Sequence, residues 1–185
     1  MKKIRTFIAH SVPEEWKEII GETSASLREG LESRIAWVKP ENMHFTLKFL
    51  GSIEEDKLAE VQGVLKKIPV VNFKISTAGA GFFPAQEKPH VIWLGIADGA
   101  KEFCSTAATI ESEMGKLGFE EKGKSCHAHL TLGRVKKISP KDNWTALSEK
   151  INEIELPEAQ INGFTLYKSV LTPDGPIYSV LEEYK

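Results

Sequence analysis

Two short stretches carry residues that could do chemistry together. One reads His44-Phe45-Thr46-Leu47 and the other His129-Leu130-Thr131-Leu132, so histidine, an apolar residue, threonine and leucine recur in the same order. Alternate side chains of a β-strand share a face, which sets His44 and Thr46 opposite Phe45 and Leu47, and His129 and Thr131 opposite Leu130 and Leu132. Each copy predicts a half-buried strand with an imidazole and a hydroxyl on its polar face. Core packing requires the leucines but makes no demand on histidine, so the repetition points to function. If the strands face one another, two histidines and two threonines surround one cleft, a site for acid–base chemistry on an anionic group. Histidine suits both halves of that chemistry because its ordinary pKa of about 6.5 lies near neutrality.

Nearby residues are read against this pair. Lys48 has the strand parity of His44 and Thr46 and could reach the same cleft or be a solvated lysine at the strand edge. Arg134 falls on the opposite face from His129 under strict alternation. A phosphate role for it needs a bulge or strand end, which Gly133 permits. A second reading of the histidines is a metal site, with His127 and His129 as an i, i+2 pair and His44 as a third ligand. No further ligand with matching spacing is apparent, and Cys126 points to the opposite face by parity. His127 reads better as an exposed or edge-of-site residue, and His10 and His90 as plain surface histidines. Lys122, Lys124, Lys136 and Lys137 flank the second motif and read first as a solvated face, second as contacts to an RNA backbone.

The elements that must hold these residues follow from periodicity. Ile4 to His10 alternates as a strand. Pro13, Glu14 and Glu15 open a helix whose stripe is Trp16, Ile19, Ile20, Leu27 and Leu31, with Gly30 near its end. Ile35 to Val38 is a short strand, and Pro40-Glu41-Asn42 turns the chain into the first motif. Ser52, three residues before Glu55, has capping-box spacing ahead of a helix striped by Leu58, Val61, Leu65 and Ile68. Val70 to Thr77 predicts a strand, Gly79, Gly81 and Pro84 an irregular turn, and Val91 to Ile96 another strand. Phe103, Ala107, Ile110, Met114 and Leu117 make a third helical stripe, with Cys104 beside it as a small packing residue. A short helix around Trp144, Leu147 and Ile151 precedes two strands, Ile161 to Leu171 and Ile177 to Leu181, joined through Thr172-Pro173-Asp174-Gly175-Pro176. Hairpin returns argue for an α+β protein with antiparallel sheets, and the helix-plus-strand unit occurs twice. The chain reads as one domain, residues 1–185, with two similar lobes.

Composition sets limits. A net charge of −2 excludes a protein that holds nucleic acid by bulk electrostatics, so any such partner is met by a local patch. Two cysteines are too few for a disulfide scaffold, and with no signal peptide at Met1-Lys2-Lys3 and no membrane-length apolar run the expectation is a cytoplasmic protein with reduced thiols.

The paired His-x-Thr-x motif resembles the two-histidine, LigT-like phosphoesterases, and more narrowly the RNA 2′,3′-cyclic phosphodiesterases, also called 2′-5′ RNA ligases. The likeness extends through Arg5-Thr6-Phe7-Ile8-Ala9, Trp37-Val38 with Asn42, Phe83-Pro84, Pro89 to Gly95, Leu166-Tyr167-Lys168-Ser169 and Gly175-Pro176-Ile177-Tyr178. Ala128 departs from it, since relatives commonly have proline there. The resemblance implies a bilobal fold with a pseudo-twofold repeat, two antiparallel sheets facing a central cleft and helices outside. It implies hydrolysis of a terminal ribose 2′,3′-cyclic phosphate to a 2′-phosphate, with His129 as general base and His44 as general acid. Thr46, Thr131 and Arg134 would hold the phosphate oxygens, with no metal or cofactor. The partner would be RNA ending in a cyclic phosphate, such as a tRNA fragment, and the protein a monomer. Ligation to a 2′-5′ linkage, cleavage of 2′-5′ linked oligonucleotides and a non-catalytic RNA-end binding module stay open as alternatives. Phe82, Phe83 or Tyr167 could stack on a terminal base, although core is the expected fate of at least two. Whether Lys48, His127 or Lys168 touches substrate is left open.

Overall fold

The alternating stretches form strands and the stretches of helical spacing form helices in the computed structural model, which describes residues 3–121 and 126–185. The expected basic turn at Lys122 and Lys124 lies outside the described residues. The order is β1 (Lys3–Ser11), α1 (Glu14–Arg28), β2 (Arg34–Trp37), β3 (His44–Glu54), α2 (Glu55–Leu65), β4 (Asn72–Ile75), β5 (Thr77–Phe83), β6 (Val91–Ile96) and α3 (Ala100–Lys116). It continues with β7 (His129–Lys137), α4 (Trp144–Asn152), β8 (Ala159–Asn162), β9 (Phe164–Thr172) and β10 (Gly175–Tyr184). A 3-10 turn over Pro40–Asn42 leads into β3.

Two four-stranded sheets carry the motifs, one ordered β10-β9-β1-β3 and the other β2-β7-β6-β5. Every pairing in both is antiparallel, as the hairpin returns predict. The first histidine strand is β3 and the second is β7, and the two approach one another where the lobes meet. Helices α2 and α3 pack on β3, while α1 packs against α4 and α4 against β5. Each lobe thus borrows one helix from the other half of the sequence, which ties the lobes together. Phe45 and Leu47 in one motif, and Leu130 and Leu132 in the other, are buried in the core as strand parity requires.

Several local expectations give way to tertiary pairing. Ser52 does not cap α2: it pairs with Arg5 in the β1–β3 ladder, the strand runs on to Glu54, and the helix starts at Glu55 with no side-chain cap. Gly79 and Gly81 lie within β5 rather than in a turn. Gly81 sits directly across from Trp93 on β6, and a Cβ there would fall 2.1 Å from the indole ring, so glycine makes room for a ring lying across the strand. The strand expected over Ile161 to Leu171 is broken into β8 and β9 at Gly163, whose φ of 71° few other residues adopt.

Two assignments of residue type are corrected. His10 is not a surface residue but fully buried, its ring against Phe73 and Phe103 and its Nδ1 2.6 Å from the Gly163 carbonyl oxygen. Burial pushes its pKa below the ordinary value, with the Gly163 hydrogen bond opposing. His90 is exposed, as expected. The cysteines are not free thiols: Cys104 on α3 is disulfide-bonded to Cys126, with Cα atoms 5.6 Å apart. Cys104 does pack against the core, but its partner is brought to it only by the approach of the chain to β7.

Candidate active site

Both motif strands carry a bulge at the same place. On β3, Ala9 pairs with Thr46 but Ile8 pairs with Lys48, passing over Leu47. On β7, Trp93 pairs with Thr131 but Ile92 pairs with Gly133, passing over Leu132. An extra residue reverses the alternation beyond it. Lys48 and Gly133 are therefore buried, while Phe49 and Arg134 are exposed and line the same cleft as His44 and Thr131. The bulge that Arg134 needs is present. Gly133 is buried beneath β2, where a Cβ would lie 2.9 Å from Ile35 Cγ2.

The same bulge overturns the parity reading of Lys48 and Phe49. Lys48 turns away from the cleft, 5% exposed, with Nζ 2.7 Å from Glu111 Oε1 and donating to the Glu120 carbonyl at 2.9 Å. It joins β3 to α3 rather than touching an anion. Replacing it, Lys48→Met, should lower unfolding stability by about 3 kcal/mol. This is the low end of the range for breaking a buried ion pair, because Glu111 keeps some solvent. Denaturant unfolding measures it, and an unchanged midpoint would mean the pair is only decorative.

His44 and His129 are set in matching frames. The Nδ1 atom of His44 lies 2.7 Å from the carbonyl oxygen of Asn42, and that of His129 lies 2.7 Å from the carbonyl oxygen of His127. Each Nδ1–H donates to the carbonyl two residues back, which leaves Nε2 to take or give a proton. Phe7 and Tyr178 flank His44, with centroids at 4.7 and 5.2 Å, and Phe83 and Trp93 flank His129 at 5.2 and 5.7 Å. The Asn42 side chain donates to the Pro176 carbonyl at 2.9 Å, so the β9–β10 hairpin steadies the turn that holds His44.

Burial lowers the pKa of His44 below its ordinary value; the Asn42 carbonyl opposes this, and the positive charges of Arg134 and His129 add to it. Burial likewise lowers His129, the His127 carbonyl opposes, and the charges of His127 and Arg134 add. The two rings and the guanidinium thus share one electrostatic site, in which an anion would relieve the repulsion. Thr46 is half-buried on the face of His44, and Thr131 lines the cleft. His127 is exposed beside Phe83, at the edge of the site, and contributes its carbonyl. Of the aromatics considered for stacking, Phe82 packs on Trp144, Tyr167 stacks on Phe7, and Phe83 sits against His129.

The spacing argument missed Phe7, Asn42, Trp93 and Tyr178. All four stand in stretches that carry the family likeness, but nothing in their spacing says that they frame an imidazole. Among the described residues, no group of three or more histidine, cysteine, aspartate or glutamate side chains is placed to hold a metal ion.

A sheet pair with equivalent histidines meeting over one cleft defines a two-histidine phosphoesterase fold, and comparison with known proteins agrees. The family described as LigT like Phosphoesterase matches the chain twice, at residues 11–93 and 94–178, and the chain belongs to that family. The two matches are the internal repeat, one for each histidine. An Archaeoglobus fulgidus protein named RNA 2′,3′-cyclic phosphodiesterase is 36% identical, covering 98% of this chain and 100% of the relative. One of the same name from Methanocaldococcus jannaschii is 35% identical, over 98% and 100%. A crystal structure from Thermus thermophilus has a TM-score of 0.78 at 25% identity, covering 98% of this chain and 97% of that one. Escherichia coli LigT crystallised with 3′-AMP shares the fold, with a TM-score of 0.78 at 22% identity and coverage of 99% and 98%.

Proposed function

We propose that this chain hydrolyses RNA 2′,3′-cyclic phosphate ends to 2′-phosphomonoesters. The carrying observation is the pair of equivalent imidazoles, each with Nδ1 fixed on a carbonyl two residues back and Nε2 left for proton transfer. Relatives that match it from end to end carry the name of that activity.

In the proposed step His129 Nε2 takes a proton from water and the water oxygen attacks phosphorus. The bond to the ribose 3′ oxygen breaks, and His44 Nε2 gives that oxygen its proton, leaving a free 3′-hydroxyl and a 2′-phosphate. Base and acid stand on opposite sides of the phosphorus, as in-line displacement requires. Thr46 and Thr131 donate hydroxyl hydrogens to the non-bridging oxygens, and Arg134 adds a charge-assisted contact. Both proton carriers come from the chain, so the reaction as written uses no metal or cofactor, and excess chelator should not change the rate.

The same reading takes residues 1–185 as one bilobal domain acting as a monomer, with RNA as partner, in the cytoplasm. Among the described residues no helix is long and apolar enough to cross a membrane. The test is incubation with a short RNA ending in a 2′,3′-cyclic phosphate and identification of the product. A 2′-phosphate is expected. A 3′-phosphate would reverse the roles of the histidines, and no turnover would leave an RNA-end binder.

A further inference from the structure

Beyond the histidines the cleft continues, and what lines it is one-sided in charge. Its volume of about 1100 Å³ exceeds the roughly 300–1,000 Å³ of small-molecule sites. Arg5, Arg34, Lys39, Arg134 and Lys136 line it against one carboxylate, Asp174. This concentration of cations occurs in a chain of net charge −2. Lysines on other surfaces, such as Lys17, Lys57, Lys74, Lys116 and Lys141, are paired with glutamates. None of the cleft cations forms a salt bridge among the described residues. Cations left unpaired around a concave surface repel one another and are best satisfied by an anionic ligand.

Their spacing is regular. Lys136 lies two residues beyond Arg134 on β7, and Arg34 lies beside it on the neighbouring strand β2. Two strand residues span ~7 Å, comparable with the separation of successive phosphates along a single-stranded nucleic acid. A terminal cyclic phosphate is the 3′ end of its strand, so the next phosphate is the one attached to the 5′ oxygen of the terminal nucleoside.

We propose that Arg34 and Lys136 form a second phosphate site, which binds the linkage 5′ of the terminal nucleotide and makes an oligonucleotide the preferred substrate over a mononucleotide. The proposal rests on the cyclic phosphodiesterase reading of the histidine site. Arg34 and Lys136 act in substrate selection and do not touch the reacting phosphorus.

The experiment compares a nucleoside 2′,3′-cyclic phosphate with a dinucleotide ending in the same group, using the wild-type chain and the double variant Arg34→Gln, Lys136→Gln. In the wild type kcat/KM should favour the dinucleotide by about tenfold or more at low salt, as expected for a charge-assisted phosphate contact. The log of that advantage should fall with the log of salt concentration with a slope of about 0.7, one phosphate's share for a single strand. In the double variant, with folding checked by thermal unfolding, the ratio should drop to near one. A wild-type ratio near one, with both probes turned over, overturns the second site and leaves the first intact. So does a preference that survives the double substitution. If neither probe is turned over, the underlying reading fails and takes this inference with it.

Discussion

His44→Ala and His129→Ala should each lower kcat by roughly 10²–10⁴-fold, the ordinary contribution of a positioned general acid or base. Neither should unfold the protein. Each ring is half-buried, and its one intramolecular hydrogen bond is local, to a carbonyl two residues away. Losing that ring contact is a small packing change beside the core leucines. KM should move far less than kcat, because the threonines and Arg134 remain to hold the phosphate. The double variant should lose little more than the worse single one, since an acid without its base no longer completes the displacement. Single-turnover kinetics on a cyclic-phosphate dinucleotide, with circular dichroism alongside, gives the result directly. Either single variant turning over at the wild-type rate would remove that imidazole from the mechanism.

Arg134→Met should lower kcat/KM by roughly tenfold to a hundredfold, corresponding to about 1.5–3 kcal/mol for a hydrogen bond to a charged group. It should also move the pH profile, and the direction is fixed. A general base works when neutral, so the acid limb of kcat/KM follows the pKa of His129; a general acid works when protonated, so the alkaline limb follows His44. Burial lowers both values in the free protein, and the Arg134 charge lowers them further. The wild-type bell should therefore be centred on the acid side of histidine's ordinary value. Removing the guanidinium should shift both limbs to higher pH. Arg134→Lys should keep the limbs in place, because the charge remains, while failing to restore full activity, because the planar fork is gone. NMR titration of the two imidazoles supplies an independent readout. Limbs that stay put in Arg134→Met would mean the guanidinium does not act on these rings.

Much of the site was legible because its chemistry is local. Histidine and threonine at i and i+2, with leucines at i+1 and i+3, define a half-polar strand wherever it lies. The repeat of that pattern foretells two equivalent strands. The likeness of distant stretches to one family foretells how those strands meet. Lys48 and Phe49 were misread for a single reason: alternation counts residues, while pairing counts hydrogen-bonded partners. The bulges at Leu47 and Leu132 are visible only against β1 and β6. His10 shows the same limit from another side. Nothing beside it in the chain marks it as buried, yet β1 lies inside its sheet and carries the ring against Phe73 and Phe103.

By itself the sequence determined the alternation of strands and helices, the twofold repeat and the identity of both imidazoles, since each follows from side chains a few residues apart. Tertiary structure decided what depends on neighbours remote in the chain. Cys104 finds Cys126, Gly81 yields to Trp93, Asn42 is tied to Pro176, and the bulges turn Arg134 toward the phosphate site and Lys48 away from it. The physical reason is that a side chain's type is a property of one residue, whereas its direction and company are set by the register of strands far apart in sequence.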